Sequence, residues 1–267
     1  MAPRCAATRR GLPLLRRGPL PLALLGATAA LCFAPAGRAA RPSGRTQLRA
    51  ADEGEKPRES WDFGRALSTA AYFDALPNPL NLFKGSAGPA RELRPGDTIW
   101  SQENPLRLEW GNLDDVVMGG ASRSAINGSV WRGKIITEGG GFAGIRTKAL
   151  EPALDVSRCQ GIRVRVKGGG GQRFKLIVRD DYDWNGVAWS YSFDTQTLIP
   201  GSTVEVSAPF ERFVPTKFAR RVPNAQYNRK QMTAIQITLS KFEYDGGLNP
   251  FFQAGDFELQ LESISTY

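Results

Sequence analysis

The stretch GIRVRVKGGGGQRFKLIVRD, residues 161–180, decides the fold class. Apolar side chains recur at every second position in both of its halves, over 161–168 and again over 173–179. A period of two is that of a β-strand with one buried face. The central KGGGGQ has neither the glycine spacing of a phosphate-binding loop nor a helical pattern after it. It predicts a hairpin between two strands.

The same alternation extends outward from this stretch to most of the chain after residue 97. The other candidate strands are LRLEW (106–110), SVWRGKIIT (129–137), FAGIRTK (142–148), VAWSYSFDT (187–195), STVEVSAPF (202–210), TAIQITLS (233–240) and DFELQLESI (256–264). Short strands separated by Gly- and Asn-rich turns predict an all-β fold, an antiparallel β-sandwich or jelly roll. Residues 97–267 are long enough for one such core.

Residues 52–96 have a different composition. WDFGRALSTAAYFDAL (61–76) spaces its apolar residues as one face of an amphipathic helix, and the Pro- and Gly-rich segment after it reads as a linker. The helix has two interpretations: it docks on a partner or membrane surface, or it packs on its own domain. The second is favoured because such apolar faces are usually part of a core.

The positive charge of the chain is confined to its beginning. The formal net charge is +9, and residues 1–51 contain nine arginines and no acidic residue. From Asp52 onward 35 − 9 = 26 basic residues face 26 acidic ones, so that part has no net charge. It therefore lacks the overall positive field that drives non-specific nucleic-acid binding.

Residues 1–51 have the character of a targeting presequence. A basic start precedes the apolar LPLALLGATAALC (20–32), which is shorter than the about 20 residues of a membrane span. The Arg-rich segment 33–51 follows, beginning with Phe-Ala-Pro. A signal (1–32) before a transit-like part (33–51) resembles the bipartite plastid presequences of algae with secondary plastids. A plain secretory signal and a mitochondrial presequence remain alternatives.

The cysteine and histidine content excludes several kinds of catalysis. The chain has no histidine, and Cys159 is the one cysteine after the presequence. This excludes serine– or cysteine–histidine catalysis, intrachain disulfides in the mature chain and thiolate zinc sites. We therefore predict no catalytic residues, no metal site and no cofactor.

Two local patterns around DYDWNG (181–186) resemble binding sites. The acidic residues match the start of an EF-hand loop, but its twelfth position is Ser192 where a glutamate is required. A surface calcium site of other geometry stays a minor alternative to an ordinary turn. Trp184, Trp189 and Asp183 suggest a carbohydrate-binding face, although the alternation favours a core position for Trp189.

The stretch WGNLDDVVMGGASRS (110–124) places two carboxylates next to each other before Met-Gly-Gly. Adjacent side chains usually point in different directions, whereas an acid–base pair must flank a reacting bond. Glycines allow unusual backbone angles, and an aspartate can accept backbone N–H groups in a turn. The stretch therefore favours a rigid turn that needs no substrate.

WGNLDDVVMGGASRS also resembles the signature of the complex I intermediate-associated protein 30 family. Three further segments resemble motifs of that family in the same order: VWRGKIITEGGGFAGIRTK (130–148), VEVSAPFERFVPTKFARRV (204–222) and AGDFELQLESI (254–264). Together the four segments span 97–267, and the sequence of the first resembles photosynthetic-lineage members of the family more closely than other members. Some plastid members carry a dinucleotide-binding domain, for which this sequence has no glycine fingerprint.

The resemblance implies a galactose-binding-like jelly roll and a non-enzymatic role as an assembly factor or chaperone-like scaffold for a membrane electron-transfer complex. The expected partners are subunits or assembly intermediates of that complex, with peripheral membrane contact as an addition and no small-molecule substrate. The expected partner-binding patch consists of Asp114, Asp115, Met118, Gly119, Gly120, Ser122, Ser124, Phe142 and Arg146. Two alternatives stay open: a carbohydrate-binding module, and an RNA-binding biogenesis factor using the basic run FARRVPNAQYNRK (218–230).

Overall fold

The computed structural model describes residues 61–75, 88–199 and 201–267, all within one compact unit, Lys56–Tyr267. The predicted presequence (1–51) and, of the predicted linker 52–96, residues 52–60 and 76–87 lie outside the described residues.

Two antiparallel sheets form the body of the fold. From edge to edge, the seven-stranded sheet contains β13 (Arg220–Arg221), β12 (Val214–Lys217), β10 (Ala188–Asp194), β9 (Arg173–Arg179), β14 (Ala234–Ser240), β6 (Phe142–Thr147) and β3 (Trp110–Asn112). The six-stranded sheet contains β11 (Thr203–Pro209), β8 (Gly161–Gly168), β15 (Gly255–Thr266), β5 (Val130–Ile135) and β4 (Arg123–Asn127), with β2 (Thr98–Ser101) also paired to β15. A separate parallel pair joins β1 (Arg91–Glu92) to β7 (Leu154–Asp155).

The core lies between the inner faces of the two sheets. Trp131 of β5 is fully buried and contacts Phe174 of β9 and Phe257 of β15, at ring-centroid distances of 6.1 and 4.8 Å. Aromatic residues of this size contribute much of the free energy of burial in a sandwich. The prediction of an all-β sandwich preceded by a short helical segment is confirmed.

Two local predictions differ from the structure. The glycine run after β8 does not form a hairpin: β8 and β9 lie in different sheets, and the run crosses between them. Its glycines, 168–171, all have positive φ angles of 60–89°, and a Cβ on Gly169 would lie 2.5 Å from Oγ1 of Thr195. Of the predicted strand 106–110, only Trp110 lies in a strand, β3, and the first two residues belong to a 3-10 turn, Pro105–Arg107, because proline favours the first position of a helical turn.

The helical segment is α1 (Phe63–Tyr72), which lies within the predicted range 61–76. Asp62 caps its first turn, with a side-chain oxygen accepting from the Arg65 N–H at 3.0 Å. The helix has no buried residue, yet it lies against the loop between β3 and β4. The helix thus contacts its own domain, but the apolar side chains of this segment do not join the core, since Trp61, Phe63 and Leu67 are exposed. Docking of this segment on a partner or membrane stays a prediction.

Candidate functional site

The predicted site is the loop between β3 and β4, residues 113–122. Its center is a 3-10 turn, Asp115–Met118, which ends at Gly119 with φ 95°. This left-handed angle is common for a glycine that ends a helical turn. The turn places Asp115 inside the protein and Met118 on its surface, where 68% of the Met118 residue is exposed.

The Asp115 carboxylate organises this loop from inside. The residue is fully buried and accepts hydrogen bonds from the Ser122 N–H (2.9 Å), the Ser122 hydroxyl (2.7 Å) and the Gly141 N–H (2.7 Å). A longer bond comes from the Phe142 N–H at 3.3 Å. A buried carboxylate with this many donors is well satisfied, so it joins the loop to the turn before β6.

Two glycines make room for that carboxylate. A Cβ on Gly120 would lie 2.2 Å from Cγ of Asp115, and a Cβ on Gly140 would lie 2.1 Å from its Oδ2. The backbone at these two positions could not lie so close to the Asp115 carboxylate if either residue had a side chain. The second glycine of Met-Gly-Gly is therefore required by packing, whereas the first is required by its backbone angle.

Asp114 is buried beside Asp115 but makes different contacts. It accepts from the Ser124 N–H (2.8 Å), the Ser124 hydroxyl (2.5 Å) and Nη2 of Arg65 (3.1 Å). Burial raises the pKa of Asp114 to about 6, while the hydrogen bonds from Ser124 and the charge of Arg65 oppose the rise. This carboxylate thus links β4 to helix α1.

Polar contacts hold α1 on the loop and on β3. The Trp61 indole N–H donates to the Val116 carbonyl at 2.7 Å, and Nη2 of Arg65 donates to the Ser122 carbonyl at 3.2 Å. At the other end of α1, the Tyr72 hydroxyl donates to the Trp110 carbonyl at 3.0 Å. A Cβ on Gly111 would lie 2.2 Å from the Tyr72 ring, so this glycine allows the close approach.

The nine predicted site residues divide into three groups. Asp114, Asp115, Gly120 and Ser122 are buried and shape the loop from within, so their side chains do not present a surface. Met118 and Gly119 are exposed, and Ser124 and Phe142 are half-buried. Whether these residues bind a partner stays a prediction; their burial limits the first group to an indirect part in it.

Arg146 does not belong with the others. It lies near the far end of β6 from Phe142, and its guanidinium carbon is 5.7 Å from the Phe73 ring centroid and 5.3 Å from that of Trp184. There it lines a pocket of about 340 Å³ between the end of α1 and the loop 181–186. Burial and the nearby Arg179 lower the pKa of Arg146 to about 9, against the opposing charge of Asp181, which still leaves the guanidinium charged at neutral pH.

The structure also shows the residues near 181–193 for which a carbohydrate-binding face and a calcium site were alternative interpretations. Trp189 is buried in the core with its indole N–H on Asp180 (3.0 Å), which removes it from any carbohydrate-binding face and confirms its predicted core position. Asp183 accepts the Asn185 N–H at 3.0 Å, as in an ordinary turn. Within the part of the chain that the structure describes, no group of three His, Cys, Asp or Glu residues is arranged to hold a metal ion.

Sequence reasoning missed the contribution of α1 to this site. Trp61 and Arg65 donate hydrogen bonds to loop residues that are 55 and 49 positions away in the sequence. No local pattern marks such contacts. Gly111, directly after Trp110, was the available signal that something packs closely on β3.

Across residues 61–75, 88–199 and 201–267, no helix has the length and apolar character to cross a bilayer.

Comparison with known proteins gives one family and several distant structures. The profile of the family described as Complex I intermediate-associated protein 30 (CIA30) matches residues 99–261. A search of curated proteins returned no match. Among solved structures, a family 11 carbohydrate-binding module from Clostridium thermocellum, in complex with a mixed-linked tetrasaccharide, is 14% identical, with 65% of this chain and 96% of that chain covered and a TM-score of 0.45.

Two further structures are also distantly similar. The family 11 module of the cellulosomal cellulase Lic26A-Cel5E of Clostridium thermocellum is 14% identical, covering 65% of this chain and 95% of that chain with a TM-score of 0.44. An exo-beta-agarase is 9% identical, covering 64% of this chain and 26% of that chain with a TM-score of 0.35.

Proposed function

Because the chain belongs to the complex I intermediate-associated protein 30 family, we propose that it is a non-enzymatic scaffold that binds an assembly intermediate of a membrane electron-transfer complex. Family membership is the observation that carries this proposal: the matched residues, 99–261, span most of the sandwich, including the Met-Gly-Gly loop. The family has an assembly-related role in the biogenesis of complex I.

The partner-binding surface that we propose is the Met118 surface, formed by Trp61, Phe63 and Met118. Phe63 is 63% exposed and packs edge-on against Trp61 at 5.6 Å between ring centroids, and Trp61 is itself 50% exposed. The indole of Trp61 is bonded to the loop that carries Met118. Large exposed apolar residues grouped on one surface are typical of protein interaction sites.

The buried aspartates supply the rigidity of this surface. The carboxylates of Asp114 and Asp115 bond to backbone N–H groups of the loop, so the backbone that carries Met118 is held in place before binding. Preorganisation of this kind reduces the conformational entropy that binding would otherwise cost. A scaffold needs only such a surface, and the proposal requires no catalytic residue.

We propose the plastid as the compartment, on the basis of the bipartite presequence at 1–51, and a photosynthetic complex as the assembled target. A mitochondrial location with respiratory complex I is the alternative. Native-gel separation of organelle membranes, followed by mass spectrometry of each slice, distinguishes them. Comigration with thylakoid intermediates supports the plastid proposal, comigration with partial complex I replaces it, and migration only as a free monomer contradicts the scaffold role.

The Met118→Glu variant tests the surface itself. We expect it to fold like the wild type but to lose comigration with the intermediate, because the new charge would be buried at the interface. Leu198→Glu, at an exposed apolar position outside the Met118 surface, is the matched control and should comigrate normally. Unchanged comigration of Met118→Glu would remove the Met118 surface from the proposal while leaving the scaffold role.

A further inference from the structure

Arg146 is a buried cation whose donors have no acceptor. Only 7% of the residue is exposed, and Nε is buried without a hydrogen-bond partner. Among the described residues, its guanidinium forms neither a hydrogen bond nor an ion pair; its neighbours are the faces of Phe73 and Trp184. A guanidinium has five N–H donors, and leaving even one of them unpaired away from water, as here at Nε, is costly.

The groups around Arg146 leave further buried polar atoms without partners. Arg179 also has a buried, unpaired Nε, although its Nη1 donates to the Gly186 carbonyl at 3.1 Å. Asp181 is the facing acid, and its Oδ1 is buried without a partner. The other charged residues that line the pocket, Asp74, Lys148 and Glu151, are exposed to solvent, which screens their charges.

The shape of the pocket fits a small molecule. Its volume of about 340 Å³ lies within the range of ligand sites, and Tyr72, Phe73, Tyr182 and Trp184 form apolar walls around the polar groups. A Cβ on Gly186 would lie 2.2 Å from both Asp181 oxygens, so the backbone there holds the carboxylate in place. The orphaned donors of Arg146 and the orphaned acceptor of Asp181 both belong to this one pocket.

We propose that this pocket binds a small carboxylate that carries a neighbouring hydroxyl group. The ligand carboxylate pairs with the Arg146 guanidinium, for which a planar two-oxygen anion is the best geometric match. Its hydroxyl donates to Oδ1 of Asp181, and its carbon skeleton lies against Trp184. The ligand is bound and not transformed, and the site is separate from the Met118 surface, so the inference goes beyond the scaffold role.

A matched set of three probes separates the two interactions. Glycolate has both the charge and the hydroxyl, acetate lacks the hydroxyl, and glycolamide lacks the charge. We expect saturable binding of glycolate in an NMR titration of the Arg146 Nε–H and the Trp184 indole N–H signals. Acetate and glycolamide should each bind at least tenfold more weakly, because each leaves one buried group unpaired.

Variants assign these differences to residues. Arg146→Gln should abolish glycolate binding, and Asp181→Asn should make glycolate no better than acetate. Arg132→Gln, which removes an exposed arginine of β5, is the matched control and should bind as the wild type does. The absence of saturable glycolate binding, equal affinity for glycolamide, or unchanged binding in a folded Arg146→Gln variant would each overturn the proposal.

Discussion

Two groups of buried charged residues lie at opposite ends of β6, and they differ in whether their polar atoms are hydrogen-bonded. At one end, Asp115 accepts four hydrogen bonds from Ser122, Gly141 and Phe142. At the other end, the guanidinium of Arg146 lies over two aromatic rings but has no hydrogen-bond acceptor among the described residues. The first group holds the fold together, whereas the second is open to a ligand. Burial alone therefore does not say whether a charged residue is structural; the state of its hydrogen bonds does.

Breaking the satisfied group should have the largest effect. Asp115→Asn keeps the side-chain size but turns one acceptor oxygen into a donor facing N–H and O–H groups that need acceptors. We expect the free energy of unfolding in urea to fall by about 3 kcal/mol, since buried donors are left unpaired. Asp183→Asn, at an exposed turn, is the control and should lose less than about 0.5 kcal/mol. Similar losses in the two variants would mean that Asp115 is not structural.

The two glycines of Met-Gly-Gly sharpen the same point. Gly120→Ala places a methyl group against the fixed Asp115 carboxylate and should destabilise the domain by about 2–3 kcal/mol. Gly119→Ala meets no atom within 4 Å, and its cost comes from the positive φ alone, about 1 kcal/mol. Chemical denaturation of both variants measures the difference. The reverse order would show that the loop moves easily around Asp115.

The pH dependence of stability tests Asp114, the group between the two extremes. Its pKa is raised from 3.8 to about 6 in the folded protein, so the folded state binds the proton more tightly than the unfolded one. The stability from this group is then complete below about pH 4 and is lost as pH rises through about 6. Relative to Asp114→Asn, the wild type should lose about 2 kcal/mol between pH 4 and 7. Parallel stability profiles of the two proteins would contradict the raised pKa.

Removing the unsatisfied charge should have the smallest effect. Arg146→Gln gives up contacts with Phe73 and Trp184 but also removes a buried charge that forms no hydrogen bond or ion pair among the described residues. These changes oppose each other, and we expect the ligand-free unfolding free energy to change by less than about 1 kcal/mol. Thermal unfolding without added carboxylate measures this. A loss as large as that of Asp115→Asn would make Arg146 a structural residue and remove the contrast.

Local patterns in the sequence predicted much of the fold. The alternation in 161–168 and 173–179 identified two strands, and the Asp-rich turn was expected to be rigid. The glycine run between the strands did not reveal that they lie in different sheets, because a hairpin and a crossover can use the same flexible residues. Turn chemistry suggested that an aspartate accepts backbone N–H groups, but not that Asp115 reaches Gly141, 26 residues away.

The composition of the candidate site was less predictable for the same reason. Arg146 was placed in the partner patch because it shares with Phe142 a motif that resembles the family, yet β6 carries it about 13 Å from Phe142, at ~3.3 Å per residue. Its aromatic neighbours come from the helix segment and from the loop 181–186, which only the tertiary fold brings together. Long-range packing of this kind leaves no local signature.

Helix α1 buries no side chain, and its attachment rests on a few bonds from Trp61, Arg65 and Tyr72. Its opening therefore exposes little apolar surface, and we expect it to be a cooperative unit of its own, with a smaller unfolding free energy than the sandwich. Backbone amides of α1 should then exchange with solvent deuterium well before those of β9 or β14. Phe63 of this helix and Trp61 just before it are two of the three residues of the Met118 surface. Opening of the segment would therefore release a bound partner without unfolding of the core.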